Sequence, residues 1–267
     1  MKKSLNILLY LWLLSIMVFM HTITYAGELN IEYKILKSEH FILQYEKDVS
    51  DVYVMNIKTR AERYYRQITQ EFGFVRDSAW VWDNRTKITV FKNAETYKNV
   101  SGCYEWSAAC VNYQGKEMYT FDGQNDFDPT LKHELTHIIF REYIGFASFP
   151  LWLDEGMAMY IQYMGSSKSG ILLDRVEEDI KNDQYIPFSK MQSISTLKDD
   201  LVDVSEFYRQ SYSMINFLIK KFGKYHFKEF LRCLRDNKSI EDSLVKAFSM
   251  IDNIKDFESL WKRYYQK

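Results

Sequence analysis

The sequence predicts an α+β fold, an N-terminal lobe of mixed or antiparallel sheet leading into a mainly helical C-terminal lobe. Three observations carry that expectation. Segments with the two-residue alternation of half-buried strands are confined to the stretch before Phe121. After Asp128-Pro129 the apolar residues recur at helical spacing almost to the end. The composition, 46% apolar and 16% aromatic with ten Gly and three Pro in 267 residues, supplies a core and excludes a disordered or linker-dominated chain.

The chain begins with Met1-Lys2-Lys3 and an apolar run from Ile7 to Met20 broken only by Ser15. That run is too short for a membrane span of ~20 residues, and Thr24-Tyr25-Ala26 then places small residues before Gly27. Residues 1–26 therefore read as a signal peptide. The expectation is an exported protein, periplasmic or extracellular, with no integral membrane span after cleavage. An uncleaved signal anchor is the alternative. The remainder divides into an α+β lobe over 27–127 and a helical lobe over 128–267, one compact domain overall.

Within the first lobe, Leu29 to Ile35 and Phe41 to Tyr45 alternate as adjacent strands. Val54, Ile57, Ala61, Tyr64, Tyr65 and Ile68 form a helical stripe over Val52 to Phe72. Lys87 to Phe91 is a compact strand, and Ala108 to Tyr113 with Glu117 to Phe121 form a hairpin across Gln114-Gly115. Helical spacing returns in Phe207 to Phe222, Tyr225 to Arg235 and Asp252 to Tyr265. Cys103 and Cys110 can close a local disulfide loop in an oxidising compartment, two separate thiols being the alternative. Cys233 has the spacing of a small core residue, and no C-x-x-C motif suggests a thiolate metal site. Lys plus Arg number 35 against 36 Asp plus Glu, which excludes a generally basic nucleic-acid binder.

The chemistry concentrates in His133-Glu134-Leu135-Thr136-His137, an H-E-x-x-H sequence. On a helix the two His project from one face and can share a metal ion, with Glu134 on the adjoining flank as a base. Asp128 is the expected N-cap and Pro129 the first helical residue. A surface helix with two solvated His is the bland alternative, but only five His occur in the chain and two stand at this spacing around a Glu. The metzincin pattern is excluded, because Tyr143 and Phe140 occupy the positions of its third His and its Gly. Downstream, Pro150 can start a second helix through Trp152-Leu153-Asp154-Glu155-Gly156-Met157-Ala158. Laid antiparallel beside the first, that helix brings Glu155 to the metal as third ligand and leaves a fourth position open. Asp154 is the competing carboxylate. Two imidazoles and a carboxylate favour zinc, one Zn2+ ion.

These motifs resemble the gluzincin zinc metallopeptidases, in particular exported proteins of the peptidase MA-like family. The third family element, a Tyr-containing helix, corresponds to Tyr208-Arg209-Gln210-Ser211-Tyr212-Ser213. The resemblance implies His133, His137 and Glu155 as zinc ligands, Glu134 as general base and Tyr208 as donor to the oxyanion. Tyr212 and His226 are the alternative donors, and Tyr208 as a core residue is the other reading. Peptides or proteins are the implied substrates. The G-x-M-E-N sequence by which aminopeptidase relatives hold a free N-terminus is absent, so the expectation is an endopeptidase. Lys116 to Phe121 is expected as the edge strand that adds a substrate strand, with Trp106 and Tyr119 as side-chain pockets. Where thermolysin-like relatives place an Asp after the ligand Glu, this chain has Met159. The competing functions are a catalytically silent zinc-stabilised envelope protein and an amidase acting on cell-wall peptides.

Overall fold

The computed structural model describes residues 31–74, 80–103, 107–124, 127–145, 149–197 and 203–266. The proposed signal segment and Trp106 lie outside them. Five strands and nine α-helices occur among the described residues, all within the unit Tyr33–Lys267. The mixed α+β class expected from the sequence is the one observed, with the sheet N-terminal and the helices dominating thereafter.

The sheet comprises β1 (Tyr33–Lys37), β2 (Phe41–Glu46), β3 (Thr86–Phe91), β4 (Ala109–Asn112) and β5 (Glu117–Phe121), in the order β1-β2-β3-β5-β4. β1 and β2 pair antiparallel, as do β4 and β5, while β3 runs parallel to both β2 and β5. A parallel pair cannot be joined by a tight turn. Helix α1 (Asp51–Phe72) lies in the chain between β2 and β3, and α2 (Ala94–Ser101) between β3 and the β4–β5 hairpin. Ser50 caps α1 by accepting from the Tyr53 N–H, and Gly73 ends it with φ 62°, a left-handed conformation that costs glycine little. The expected stripe on α1 is the buried one, with Val54, Ile57, Ala61, Tyr64 and Ile68 all in the core.

One expectation is overturned here. β5 lies between β3 and β4, so both of its edges are occupied and it cannot add a substrate strand. The terminal strand is β4, the other arm of the same hairpin. Alternation within a hairpin does not say which arm meets a third strand, because both carry the same two-residue pattern. Cys110 of β4 is joined to Cys103 by a disulfide, closing the local loop anticipated from the sequence.

The helices that position the site are α3 (Phe127–Ile144), α4 (Leu151–Tyr163) and α7 (Val204–Arg235). α3 begins one residue before Asp128, so Asp128 is not its N-cap. Its carboxylate is held instead by the Tyr64 hydroxyl and by Arg60. Pro150 stands at the cap of α4 rather than in its first turn. Between α4 and α7 lie α5 (Lys168–Lys181) and α6 (Phe188–Ser193); α8 (Ile240–Ala247) and α9 (Ile254–Tyr265) complete the chain. Asp203 caps α7 by accepting from the Glu206 N–H at 3.0 Å. Gly223 interrupts α7 at φ 87°, which explains why its apolar spacing reads as two separate segments in the sequence. Among the described residues no helix is long and apolar enough to cross a membrane.

α4 packs directly on α7 because Gly156 has no side chain. A Cβ there would lie 2.5 Å from the Ser211 carbonyl oxygen and 2.8 Å from Ile215 Cγ1. This close approach brings the residue beside Gly156, Glu155, near the α7 residue Tyr208.

Candidate metal centre

α3 carries His133 and His137 one turn apart, on the face turned to α4. Their Nε2 atoms lie 3.1 Å apart. Glu155 Oε2, from the first turns of α4, lies 3.4 Å from His133 Nε2 and 3.5 Å from His137 Nε2. The structure thus brings together the three residues expected as ligands, and it does not bring Asp154 into that triangle.

The donor set fits a zinc ion. Ligand atoms ~2.0–2.1 Å from a shared tetrahedral centre stand ~3.3–3.4 Å from one another, which is the spacing of these three atoms. The opposite side of each ring is already occupied. His133 Nδ1 meets Gln162 Oε1 at 2.9 Å, and His137 Nδ1 faces Asp154 Oδ1 at 3.1 Å. An oxygen facing Nδ1 favours the proton there, by a hydrogen bond for His133 and by the Asp154 charge alone for His137, and so favours a free lone pair at each Nε2. Glu155 Oε2 is buried without a hydrogen-bond donor. Three electron-rich atoms therefore converge, and their physical complement is a cation.

The local field shows the same demand. Burial disfavours charge on His137, but Asp154 and then Glu155 outweigh it and hold the imidazole well above its ordinary pKa. Burial pushes the Glu155 carboxyl up, whereas His137 and His133 hold it below the carboxylate range. Without a metal the cluster takes up a proton, and metal binding displaces it. Asp154 is fully buried and its other oxygen receives two hydrogen bonds from Arg141, at 2.9 and 2.7 Å. The guanidinium of Arg141 also stacks over the Tyr113 ring, which stands edge-on to His137. Arg141 and Gln162 are not singled out by the sequence, in which Asp154 reads only as a rival ligand to Glu155. A signal was present: Arg141 is His137 plus four on α3, and Gln162 is Glu155 plus seven on α4, so each shares a face with a candidate ligand.

A cleft of about 420 Å³ opens beside the cluster, lined by His133, Glu134, Met159, Gln162, Tyr163 and Tyr208 among others. Ser107, Ala108 and Ala109, at the start of the terminal strand β4, form another wall. Glu134 is half-buried there, its carboxyl raised by burial against the opposing pull of His133 and His137. Tyr208 lines the same cleft, with its ring centroid 6.4 Å from that of His133. Burial, then Glu155 and Glu134, push its phenol far above the ordinary range, so it stays protonated and able to donate. Tyr212 is buried against Tyr160 and Tyr163, and His226 Nδ1 hydrogen-bonds the Ala247 carbonyl at 3.0 Å. Neither lines the cleft, nor does Tyr119, whose hydroxyl donates to Glu117 at 2.7 Å. The remaining grouping of potential ligands among the described residues, Glu39, His40 and Glu62, is satisfied internally. There Glu62 accepts from both the ring and the backbone N–H of His40, at 2.7 and 2.9 Å.

The family model described as Peptidase MA superfamily matches residues 123–267. Among solved structures, native yeast LTA4 hydrolase aligns with a TM-score of 0.55 at 13% identity, covering 84% of this chain and 38% of that one. That likeness is one of fold, and the chain spans well under half the length of that protein. No curated protein matches the sequence.

Proposed function

This chain belongs to the Peptidase MA superfamily, and from that premise we propose that it is an exported, gluzincin-type zinc metallopeptidase acting on internal peptide bonds. The observation that carries the reading is the convergence of His133 Nε2, His137 Nε2 and the donor-less Glu155 Oε2 at zinc-ligand spacing. The fold shared with native yeast LTA4 hydrolase, itself a hydrolase by name, is consistent with it. The oxidised Cys103–Cys110 pair supports export, since such bonds persist outside the reducing cytosol. The missing G-x-M-E-N sequence supports cleavage away from a free N-terminus.

His133, His137 and Glu155 hold the zinc, with Gln162 and the Asp154–Arg141 pair orienting the two rings. When bound, zinc would supply Lewis acidity toward the scissile carbonyl and the attacking water. Glu134, in the cleft beside the ligands, takes a proton from the attacking water and delivers it to the leaving amine. Tyr208 donates its phenolic hydrogen to the oxygen of the tetrahedral intermediate, and removal of one such donor typically costs ~2.7–4 kcal/mol in the barrier. The edge of β4, bordering the cleft at Ala108 and Ala109, can pair with an extended substrate backbone.

The test is metal analysis paired with cleavage of a peptide library by the protein lacking residues 1–26. Wild type is expected to carry one zinc and to hydrolyse peptides, and Glu134→Gln to keep the zinc and the fold without hydrolysis. Full activity in Glu134→Gln would overturn the assignment of the base. A metal-loaded wild type that cleaves nothing would favour the silent envelope protein.

A further inference from the structure

A second cavity, of about 460 Å³, adjoins the cleft and shares Gln162 and Tyr163 with it. Its other walls include Tyr64, Asp128, Lys132 and Lys168. Lys132 immediately precedes the first His of the metal motif and lines this cavity. It is only 8% exposed, and the carboxylate whose charge it feels is that of Asp128 across the same cavity, with no direct ion pair between the two among the described residues. The nearest defined neighbour is the face of Tyr64, 5.7 Å from Nζ. The carboxylate that lines the cavity is already engaged: Asp128 accepts from the Tyr64 hydroxyl and is flanked by Arg60 at 3.2 Å and Arg63 at 3.7 Å. Lys168 adds a second ammonium at the exposed rim.

The remaining polar groups, Gln162 and the hydroxyls of Tyr163 and Ser166, can all donate. Gln162 turns its amide oxygen to His133, which leaves its amide N–H groups for the cavity, and Tyr163 brings a hydroxyl. With the charge of Asp128 matched by Arg60 and Arg63, the two ammonium groups leave the pocket net positive and complementary to an oxyanion. Gln162 and Tyr163 form the wall common to both spaces, so a chain lying in the cleft has a short route into this one.

We propose that this cavity is a carboxylate subsite for the peptide substrate, in which Lys132 and Lys168 hold an acidic side chain or a C-terminal carboxylate. The identity of the ligand as a peptide rests on the metallopeptidase reading; the anion site rests on the cavity itself. Its consequence is a preference for acidic peptides that Glu134 and the zinc ligands do not set.

Binding to the full chain carrying Glu134→Gln tests this without turnover. The probes are alanine-rich hexapeptides bearing Glu or Gln at one position, each with a free or an amidated C-terminus. A carboxylate at the right position should tighten binding about ten- to hundredfold over its amide twin, the range for a hydrogen-bonded charge. The Glu/Gln pairs report a side-chain carboxylate and the free/amidated pairs a C-terminal one. The gain should vanish in Lys132→Met and survive in part in Lys132→Arg, with zinc content unchanged. Lys168→Ala, at an exposed position, should reduce the gain without lowering Tm, and so decides the matter even where Lys132→Met fails to fold. Equal affinity for every acid and amide pair, or a gain that both lysine variants leave intact, would overturn the proposal. If wild type hydrolyses none of the peptides but the carboxylate gain stands, the metallopeptidase reading fails and the subsite does not.

Discussion

Gly156→Ala sets local preference against tertiary contact, and the two predict opposite signs. In a helix interior, Ala is favoured over Gly by about 0.8–1.0 kcal/mol, so α4 considered alone should gain stability. The packed structure forbids the extra methyl. Its position is 2.5 Å from the Ser211 carbonyl oxygen, roughly 0.8 Å short of the ~3.3 Å at which carbon and oxygen rest in contact. Ile215 Cγ1, at 2.8 Å, closes a second direction. The obstructing oxygen is backbone of α7, so relief requires the two helices to separate rather than a side chain to turn. Overpacking costs about 1–3 kcal/mol, and a clash with rigid backbone closed from two directions belongs to the upper part of that range, about 2–3 kcal/mol, so the net destabilisation after the helix preference is set against it is about 1–2 kcal/mol. For a domain of this size that lowers Tm by about 2–8 °C. Separation of α4 from α7 also shifts Glu155 relative to Tyr208, so kcat should fall more than stability alone requires. Calorimetric unfolding of wild type and variant, with metal content measured in parallel, reads both effects. An unchanged or raised Tm would show that the helices are not packed this closely and would refute the argument.

Further outcomes follow from the site and its surroundings. Asp154→Asn removes the charge facing His137 Nδ1 and should weaken zinc affinity about 10–100-fold in a competitive chelator titration. Glu155→Gln should weaken it more, and the reverse order would reassign the ligand. Tyr208→Phe should lower kcat about 10²–10³-fold with zinc content intact; an unchanged kcat would return Tyr208 to a packing role. Glu62 is raised by burial but held below its ordinary value of 4.5 by its hydrogen bonds from His40. Its contribution to stability is therefore present above that value and lost as pH falls through the lower folded value. The Tm difference between wild type and Glu62→Gln should accordingly be largest near neutral pH and shrink below about pH 4; a difference growing toward acid would contradict the sign. Reducing Cys103–Cys110, seven residues apart, removes a local cross-link worth about 2 kcal/mol. Thiol treatment should thus lower Tm, and loosen β4 beside the cleft as seen by amide exchange.

The elements legible in the sequence are those whose signal is local. The stripe on α1, the alternation of the strands and the break in α7 at Gly223 each follow from periodicity or from one residue's conformational range. The His133–His137 pair is of the same kind, because a four-residue step on a helix places two side chains on one face whatever surrounds them. Where the reading failed, the missing information was relational. Asp128 reads as a cap until the start of α3 and the position of Tyr64 are known. The hairpin's two arms are indistinguishable until β3 chooses β5 and leaves β4 at the edge.

The sequence by itself determined the α+β order of the chain, the helix that carries the His133–His137 pair and a second helix able to deliver Glu155. Tertiary structure alone decided which carboxylate enters the triangle of donors and which braces a ring: Asp154 and Glu155 are neighbours in the chain, but they point 100° apart around α4, and only the packed position of α3 separates their roles. It likewise decided that Lys132 is enclosed. A lysine in a sequence reads as surface, and its burial depends on the walls that α1 and α4 build around it. Helical periodicity specifies directions from one axis; a site is specified by where several axes meet.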